Sequence, residues 1–190
     1  MVGMRNLALL LSLVALAPNA LAQASERKGF LIGASIGLAN NSPDLCVGCE
    51  TGIAVEGRVG WMLKPRLALL ADLVSTATSP EILSTVHGRH TGFLGAVQYW
   101  PSRRLWLRAG AGAASVEREA PPVYDYKTTH FAGIGGVGFE VNPGSKLVVE
   151  LALLDLLSGD SPQQSPLEPR HKSTVNTVLF SIGATFYSRR

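Results

Sequence analysis

Eight apolar segments with a period of two residues dominate the sequence from residue 29 onward. They span 29–40, 51–63, 66–79, 91–101, 104–119, 130–142, 146–157 and 174–187. In segment 51–63, for example, Val55 and Val59 fall on one face and Arg58 on the other. Successive side chains of a β-strand point to opposite faces, so this period is typical of strands. The pattern predicts an all-β chain of eight strands.

The connections between these segments are of two alternating kinds. Three are short and carry turn-forming residues: 64–65, 102–103 and the Asn-Pro-Gly-Ser sequence at 142–145. The other four, near 41–50, 80–90, 120–129 and 158–173, are longer and rich in Pro, Ser and charged residues. Short turns at one end and long loops at the other predict an up-and-down antiparallel barrel. Outer-membrane barrels combine periplasmic turns with long external loops in this way.

Residues 1–24 have the features of a secretory signal. Arg5 supplies the positive charge, residues 7–16 form an apolar run, and 20–22 and 22–24 both offer a small-x-small cleavage pattern. The run is too short to cross about 30 Å of hydrocarbon as a helix. We therefore predict a signal peptide at 1–24, followed by one barrel domain at 25–190.

The distribution of charge indicates which face of the strands meets lipid. Charged residues make up 16% of the chain, below the roughly 25% of an ordinary soluble domain. One face of the strands is almost uncharged, with Asp155 as the main exception, and the other carries few charges among Gly and Ala. A soluble lipocalin-like carrier would place its charges outside and its apolar side chains inside. The pattern instead predicts a transmembrane β-barrel in the outer membrane of a Gram-negative bacterium, with a narrow, filled lumen.

A set of charged residues on the sparsely charged face is predicted to share the lumen. The set is Glu56, Arg58, Asp72, Arg108, Glu140 and Glu150. Most of them lie at a similar distance from a short turn, so arginine forks can bridge carboxylates. The network could form an ion gate or a structural plug. We favour the plug, because eight strands leave no continuous aqueous channel.

Aromatic residues near the short turns predict an interfacial girdle at the periplasmic side. The girdle would comprise Trp61, Tyr99, Trp100, Trp106, Phe139, Phe186 and Tyr187. Trp and Tyr are enriched at the headgroup level of membrane proteins. The alternative is that these side chains belong to an aromatic-rich soluble core.

Two cysteines and two histidines are candidates for chemistry in the first two long connections. Cys46 and Cys49 in an exported chain predict a disulfide within the first loop. His87 and His90 are expected to be solvated in the second loop, and a zinc site built from these four residues is the weaker alternative. We predict no metal and no cofactor.

The signal sequence, the eight alternating strands, the tight turns and the long loops together resemble the small outer-membrane β-barrel family that includes OmpA-type transmembrane domains, OmpX and OmpW. Residues 181–187, with a glycine followed by aromatics, look like the C-terminal insertion signal of that family, although the chain continues to Arg190. The resemblance implies contact with outer-membrane lipid and lipopolysaccharide, and with barrel-assembly machinery during insertion. No nucleic-acid partner is expected, since the net charge is only +3 and no Lys/Arg run occurs. The sequence does not identify a partner for the external loops.

The expected function is structural or one of surface interaction, without enzymatic activity. One alternative is a narrow pore or a conduit for small apolar molecules, lined by Leu31, Leu70, Val74 and Leu94. A second is an enzyme that modifies lipid A, since His171 and Ser173 have the spacing of a deacylase pair, with Glu168 nearby. Here that pair is expected in an external loop, whereas the resemblance implies a lipid-facing strand.

Overall fold

The computed structural model describes residues 27–43, 50–78, 87–120, 124–162 and 172–189. Over these ranges the chain forms a closed antiparallel barrel in which each strand pairs with its neighbours in sequence and β1 pairs with β8. The strands are β1 (Lys28–Pro43), β2 (Glu50–Lys64), β3 (Leu67–Thr78), β4 (His87–Tyr99), β5 (Leu105–Ala120), β6 (Tyr124–Glu140), β7 (Leu147–Pro162) and β8 (Lys172–Arg189). The predicted eight-stranded all-β fold is confirmed. The predicted signal at 1–24 lies outside the described residues.

The two ends of the barrel differ in their connections. The short connections 65–66, 100–104 and 141–146 all lie at one end, which we call the turn end. The strand ends that flank residues 44–49, 79–86, 121–123 and 163–171 lie at the opposite end, which we call the loop end. Within the described ranges, no helix is long and apolar enough to cross a membrane.

The register of the strands fixes their tilt. A row of paired residues that starts at Leu31 on β1 passes once around the barrel and returns to β1 at Asn41, ten residues closer to the loop end. The row consists of Leu31, Gly60, Leu70, Ala96, Gly110, Ile134, Leu156 and Thr177. This displacement of ten residues is the shear of the barrel, and it moves the row toward the loop end by about 1.25 residues per strand. A barrel of eight strands has room inside only for side chains.

The alternation along each strand separates an apolar exterior from a mixed interior. Large exposed apolar side chains point outward on every strand except β5, and Phe93, Phe131 and Phe180 are 58–73% exposed. The inward positions carry buried charged, polar and apolar residues. Exposed apolar surface of this extent is typical of a wall that meets hydrocarbon rather than water.

Three strands extend four or more residues beyond the predicted segments at the loop end. β4 begins at His87, β6 at Tyr124 and β7 ends at Pro162, so parts of the predicted connections 80–90, 120–129 and 158–173 are strand. The extensions lack apolar alternation, which is why periodicity missed them. Cross-strand pairing holds them instead, since Glu117 pairs with Lys127 on β6 and forms an ion pair with it.

The seam between β6 and β7 is the least complete in the barrel. Only residues 132–140 of β6 pair with 150–158 of β7. Beyond this point β6 continues to pair with β5 as far as Tyr124, and β7 with β8 as far as Pro162. Pairing between β6 and β7 therefore ends before the other seams do at the loop end.

Candidate functional site

A first group of polar side chains lies inside the lumen at the turn end. Glu140 accepts hydrogen bonds from Arg27 at 2.8 Å, from the Trp100 indole at 2.8 Å and from the Tyr187 hydroxyl at 3.0 Å. Arg27 also donates to the backbone carbonyl of Arg103, and its guanidinium lies 4.7 Å from the centre of the Trp100 ring. We call Arg27, Trp100, Glu140 and Tyr187 the turn layer. All four side chains are buried.

A second group, the central network, lies one layer toward the loop end. It contains Glu56, Arg58, Asp72, Gln98, Arg108, Glu150 and Thr185. From β2, Arg58 reaches across the lumen to donate to Glu150 on β7 and to Thr185 on β8, both at 2.5 Å. Arg58 also donates to Glu56 on its own strand at 3.1 Å. A single guanidinium thus joins three strands.

Arg108 makes the corresponding connection from β5. It donates to Glu56 on β2 at 2.5 Å, to Gln98 on β4 at 2.9 Å, and more weakly to Asp72 on β3 at 3.4 Å. Glu56 therefore lies between two guanidiniums and is the hub of the network. Buried charge-assisted hydrogen bonds of this kind are stronger than those in water, because the local dielectric is low.

Carboxylates outnumber guanidiniums among the described lumen side chains. The two layers hold three arginines, counting Arg27, and four carboxylates. Within this group, Asp72 Oδ1 and Glu150 Oε1 are buried without a hydrogen-bond partner. The network therefore retains spare acceptor capacity, which a proton or water could use.

The position of Trp106 depends on a glycine opposite it. The Trp106 indole donates to Glu150 at 3.1 Å, and Arg108 lies 4.7 Å from its ring centre. A Cβ at Gly138 on the paired strand β6 would overlap the Trp106 ring. The absence of a side chain at this position allows the indole to lie flat across the lumen.

An apolar layer follows between the central network and the loop end. It contains Val74, Leu94, Leu154, Leu156 and Leu179, all buried. The predicted conduit residues Leu31 and Leu70 are also buried, but they lie closer to the turn end than Glu56, Arg58 and Asp72 of the central network. The network therefore separates them from Val74 and Leu94, and the four residues do not form one continuous lining.

Three of the predicted girdle residues lie inside the barrel, and that part of the prediction is wrong. Trp100, Trp106 and Tyr187 are fully buried in the lumen, because they occupy inward positions and their polar hydrogens find carboxylate partners there. The remaining predicted girdle residues point outward near the turn end. They are Trp61, Tyr99, Phe139 and Phe186.

The predicted lumen residues are distributed over both layers. Glu140 belongs to the turn layer, and the other five lie in the central network. Sequence reasoning missed Arg27, which precedes β1 and belongs to no apolar segment. It also placed His90 in a solvated loop, whereas the structure places it inward on β4, where it is buried.

Several other candidates lie outside the described residues. These are Cys46, Cys49, Glu168 and His171. Ser173 was expected in a loop but belongs to strand β8, although its side chain is not among those described. Among the described ranges, no group of three His, Cys, Asp or Glu residues is placed to hold a metal ion.

Comparison with known proteins identifies the fold. No protein-family model matches the sequence, and no characterised protein matches it in sequence. In structure, the chain is similar to Neisserial surface protein A, with a TM-score of 0.56 and 16% identity over 84% of this chain and 97% of that one. It is equally similar to Ail, the attachment invasion locus protein of Yersinia pestis, with a TM-score of 0.56 and 14% identity over 84% of this chain and 99% of that one. The chain has the fold of the small outer-membrane β-barrels. The resemblance inferred from the sequence is confirmed at the level of the fold.

Proposed function

We propose that this chain is an integral outer-membrane barrel with a sealed lumen and a role in envelope structure or surface interaction. The observation that carries the proposal is the central network, which joins strands on opposite sides of the lumen through Arg58 and Arg108. With the lumen closed, the surfaces left for function are the lipid-facing wall and the connections at the loop end.

The exterior supports the membrane location. Outward positions carry large exposed apolar residues, and Trp61 and Tyr99 lie near the turn end, where a headgroup region would begin. Outer-membrane lipid and lipopolysaccharide are therefore the proposed partners of the wall, with barrel-assembly machinery acting during insertion. The two structural neighbours are named as a surface protein and an attachment protein, and we propose a role of the same class here.

The seal follows from the cost of separating buried charges. A water-filled path along the axis would have to part Arg58 from Glu150 and Arg108 from Glu56, each at 2.5 Å. Removing one partner from a buried pair costs about 3–5 kcal/mol, because the other charge is left uncompensated. Thermal motion does not open such a path at a useful rate, so the network acts as a plug and not as an ion gate.

Planar-bilayer recording tests the plug. The refolded full chain should give no steady conductance, whereas Arg58→Ala or Arg108→Ala should admit ions through the space left by the guanidinium. Lys127→Ala, at an exposed position, is the matched loss of a positive charge and should remain silent. Discrete conductance steps from the unaltered protein would contradict the sealed lumen.

The apolar layer favours one alternative function, a conduit for small apolar molecules that begins at the loop end. Val74, Leu94 and Leu156 line this part of the lumen, and the incomplete seam between β6 and β7 gives it a lateral exit above the network. Entry of an apolar fluorescent probe into protein-containing vesicles distinguishes the two functions. Uptake that Leu156→Arg abolishes would favour the conduit, and uptake at the rate of empty vesicles would favour the structural role.

The enzymatic alternative is tested on lipid A. The proposal predicts that expression leaves the acylation pattern of lipid A unchanged, as measured by mass spectrometry. A changed pattern that reverts with Ser173→Ala would overturn the assignment as a non-enzyme.

A further inference from the structure

Two histidines occupy inward positions at the loop end of the lumen. His90 points inward from β4 and His130 from β6, with β5 between them. His90 is in register, through Val116, with Thr128 on β6, and His130 lies two residues closer to the turn end than Thr128. Because the shear is ten, a row of paired residues moves about 2.5 residues toward the loop end over two strands, which offsets this difference. The two imidazoles therefore lie at nearly the same height, on strands that are separated by β5.

Both imidazoles have unused hydrogen-bonding capacity. His90 is 1% exposed, and its Nε2 atom is buried without a partner, as is the Nε2 atom of His130. A buried ring nitrogen without a partner is costly unless water, a ligand or an ion occupies the space in front of it. Two such nitrogens at nearly the same height, two strands apart, indicate a site between them.

The other ring nitrogen of His90 is held in place. Its Nδ1 atom is 3.1 Å from the hydroxyl of Thr177 on β8, across the lumen. If Nδ1 carries the proton and donates to Thr177, the lone pair of Nε2 points into the lumen. Metal-binding histidines are commonly oriented by a hydrogen bond from the second ring nitrogen, which fixes the tautomer.

We propose that the Nε2 atoms of His90 and His130 bind a first-row transition-metal dication such as Zn²⁺ or Cu²⁺ at the loop end of the lumen. Imidazole is a preferred ligand of these ions. Water completes the coordination sphere, since no third His, Cys, Asp or Glu of the described chain is grouped with the pair. The site is independent of the central network and of the sealed lumen.

The incomplete seam provides the access route that a metal site requires. His130 lies just beyond Ala132, the last residue of β6 that pairs with β7. An ion can therefore reach the pair through the gap between these strands as well as from the loop end. On the opposite side, the apolar layer of Leu94 and Leu156 prevents the ion from passing deeper.

The test is Cu²⁺ titration of the refolded full chain, followed by electron paramagnetic resonance and by calorimetry with Zn²⁺. The expected result is one ion per chain with hyperfine coupling to two nitrogens. His90→Gln and His130→Gln should each weaken binding at least tenfold, and heat-dependent electrophoretic mobility confirms that each variant folds. His87→Gln and His171→Gln are matched controls that should bind as the unaltered chain does.

Thr177 gives a second, independent readout of the proposed tautomer. Thr177→Val removes the hydroxyl with little change in volume and should weaken Zn²⁺ binding about tenfold, and Thr177→Ser should restore it. Binding that survives either His90→Gln or His130→Gln would overturn the proposal. Binding that is lost in His87→Gln or in a Cys46→Ser, Cys49→Ser double variant would assign the metal to the first two loops instead. Absence of binding would mean that water alone occupies the pair.

Discussion

The turn half and the loop half of the lumen are occupied by different kinds of side chains. In the turn half, Arg27, Arg58 and Arg108 each donate to at least two groups, and their ion pairs cross the barrel. In the loop half, the lumen is filled by aliphatic side chains, two histidines keep unpartnered ring nitrogens, and the β6–β7 seam is incomplete.

The difference indicates which half of the barrel tolerates few substitutions and which half can vary in sequence. A buried charge network tolerates few substitutions, because each removal leaves another charge unpaired. Aliphatic packing tolerates conservative exchange at small cost. The turn half therefore fixes the barrel, and the loop half has more freedom to acquire a ligand or a partner.

The largest expected effect comes from Arg58→Ala. The substitution leaves Glu56 and Glu150 with one fewer cation, and we expect the free energy of unfolding to fall by about 3–5 kcal/mol. Urea titration of the protein folded in lipid vesicles measures this free energy. Lys64→Ala, at an exposed position, is the control. A loss below about 1 kcal/mol would show that the network contributes no more than surface charges do.

A smaller loss is expected in the loop half, from Leu156→Ala. The side chain is fully buried in the apolar layer. Its truncation should cost an amount in the lower part of the range of about 2–5 kcal/mol for buried leucines, because neighbouring aliphatic side chains can partly fill the cavity. The same titration compares it with Arg58→Ala. A loss that equals or exceeds the effect of Arg58→Ala would contradict the contrast between the two halves.

Gly138→Ala tests the packing of the turn half at a single atom. The added Cβ overlaps the Trp106 ring, so we expect a loss of about 1–3 kcal/mol and altered near-ultraviolet circular dichroism. Gly135→Ala is the matched control on the same strand, since a Cβ there faces outward with nothing within 4 Å. Equal effects of the two substitutions would mean that Trp106 does not fill the lumen as described.

The smallest effect concerns the exposed pair at the loop end. The Lys127 ammonium lowers the pKa of Glu117 below its usual value of 4.5. Because the folded pKa is the lower one, the pair contributes stability above the unfolded pKa, and this contribution is lost as the pH falls through the folded pKa. Glu117→Gln should slightly reduce the pH dependence of unfolding as the pH falls below the usual glutamate pKa of 4.5. A larger pH dependence of unfolding in Glu117→Gln would contradict the lowered pKa of Glu117.

Alternation alone predicted the strands and most of the lumen network. Strand parity places Glu56, Arg58 and Asp72 on one face, and pairing of neighbouring strands then brings them together. Strand parity also predicts that Trp106 points inward, because it is two residues from the inward Arg108. The girdle prediction failed because it relied on the distance from a turn and not on parity.

The rest of the site had no comparable sequence signal. Arg27 lies before the first strand, so no periodicity applies to it. His90 and His130 lie where the apolar alternation of β4 and β6 gives way to polar residues. Their proximity depends on the shear of the barrel, a property of the closed sheet that no single segment encodes.

The most direct test of the account is quenching of tryptophan fluorescence by brominated lipids. Variants that each retain one of Trp61, Trp100 and Trp106, with Phe at the other two positions, are folded in vesicles with brominated acyl chains. The account predicts strong quenching of Trp61, which is 59% exposed on the outer wall, and little quenching of Trp100 and Trp106, which are fully buried in the lumen. Quenching of Trp100 and Trp106 without quenching of Trp61 would mean that the two faces of the wall are reversed.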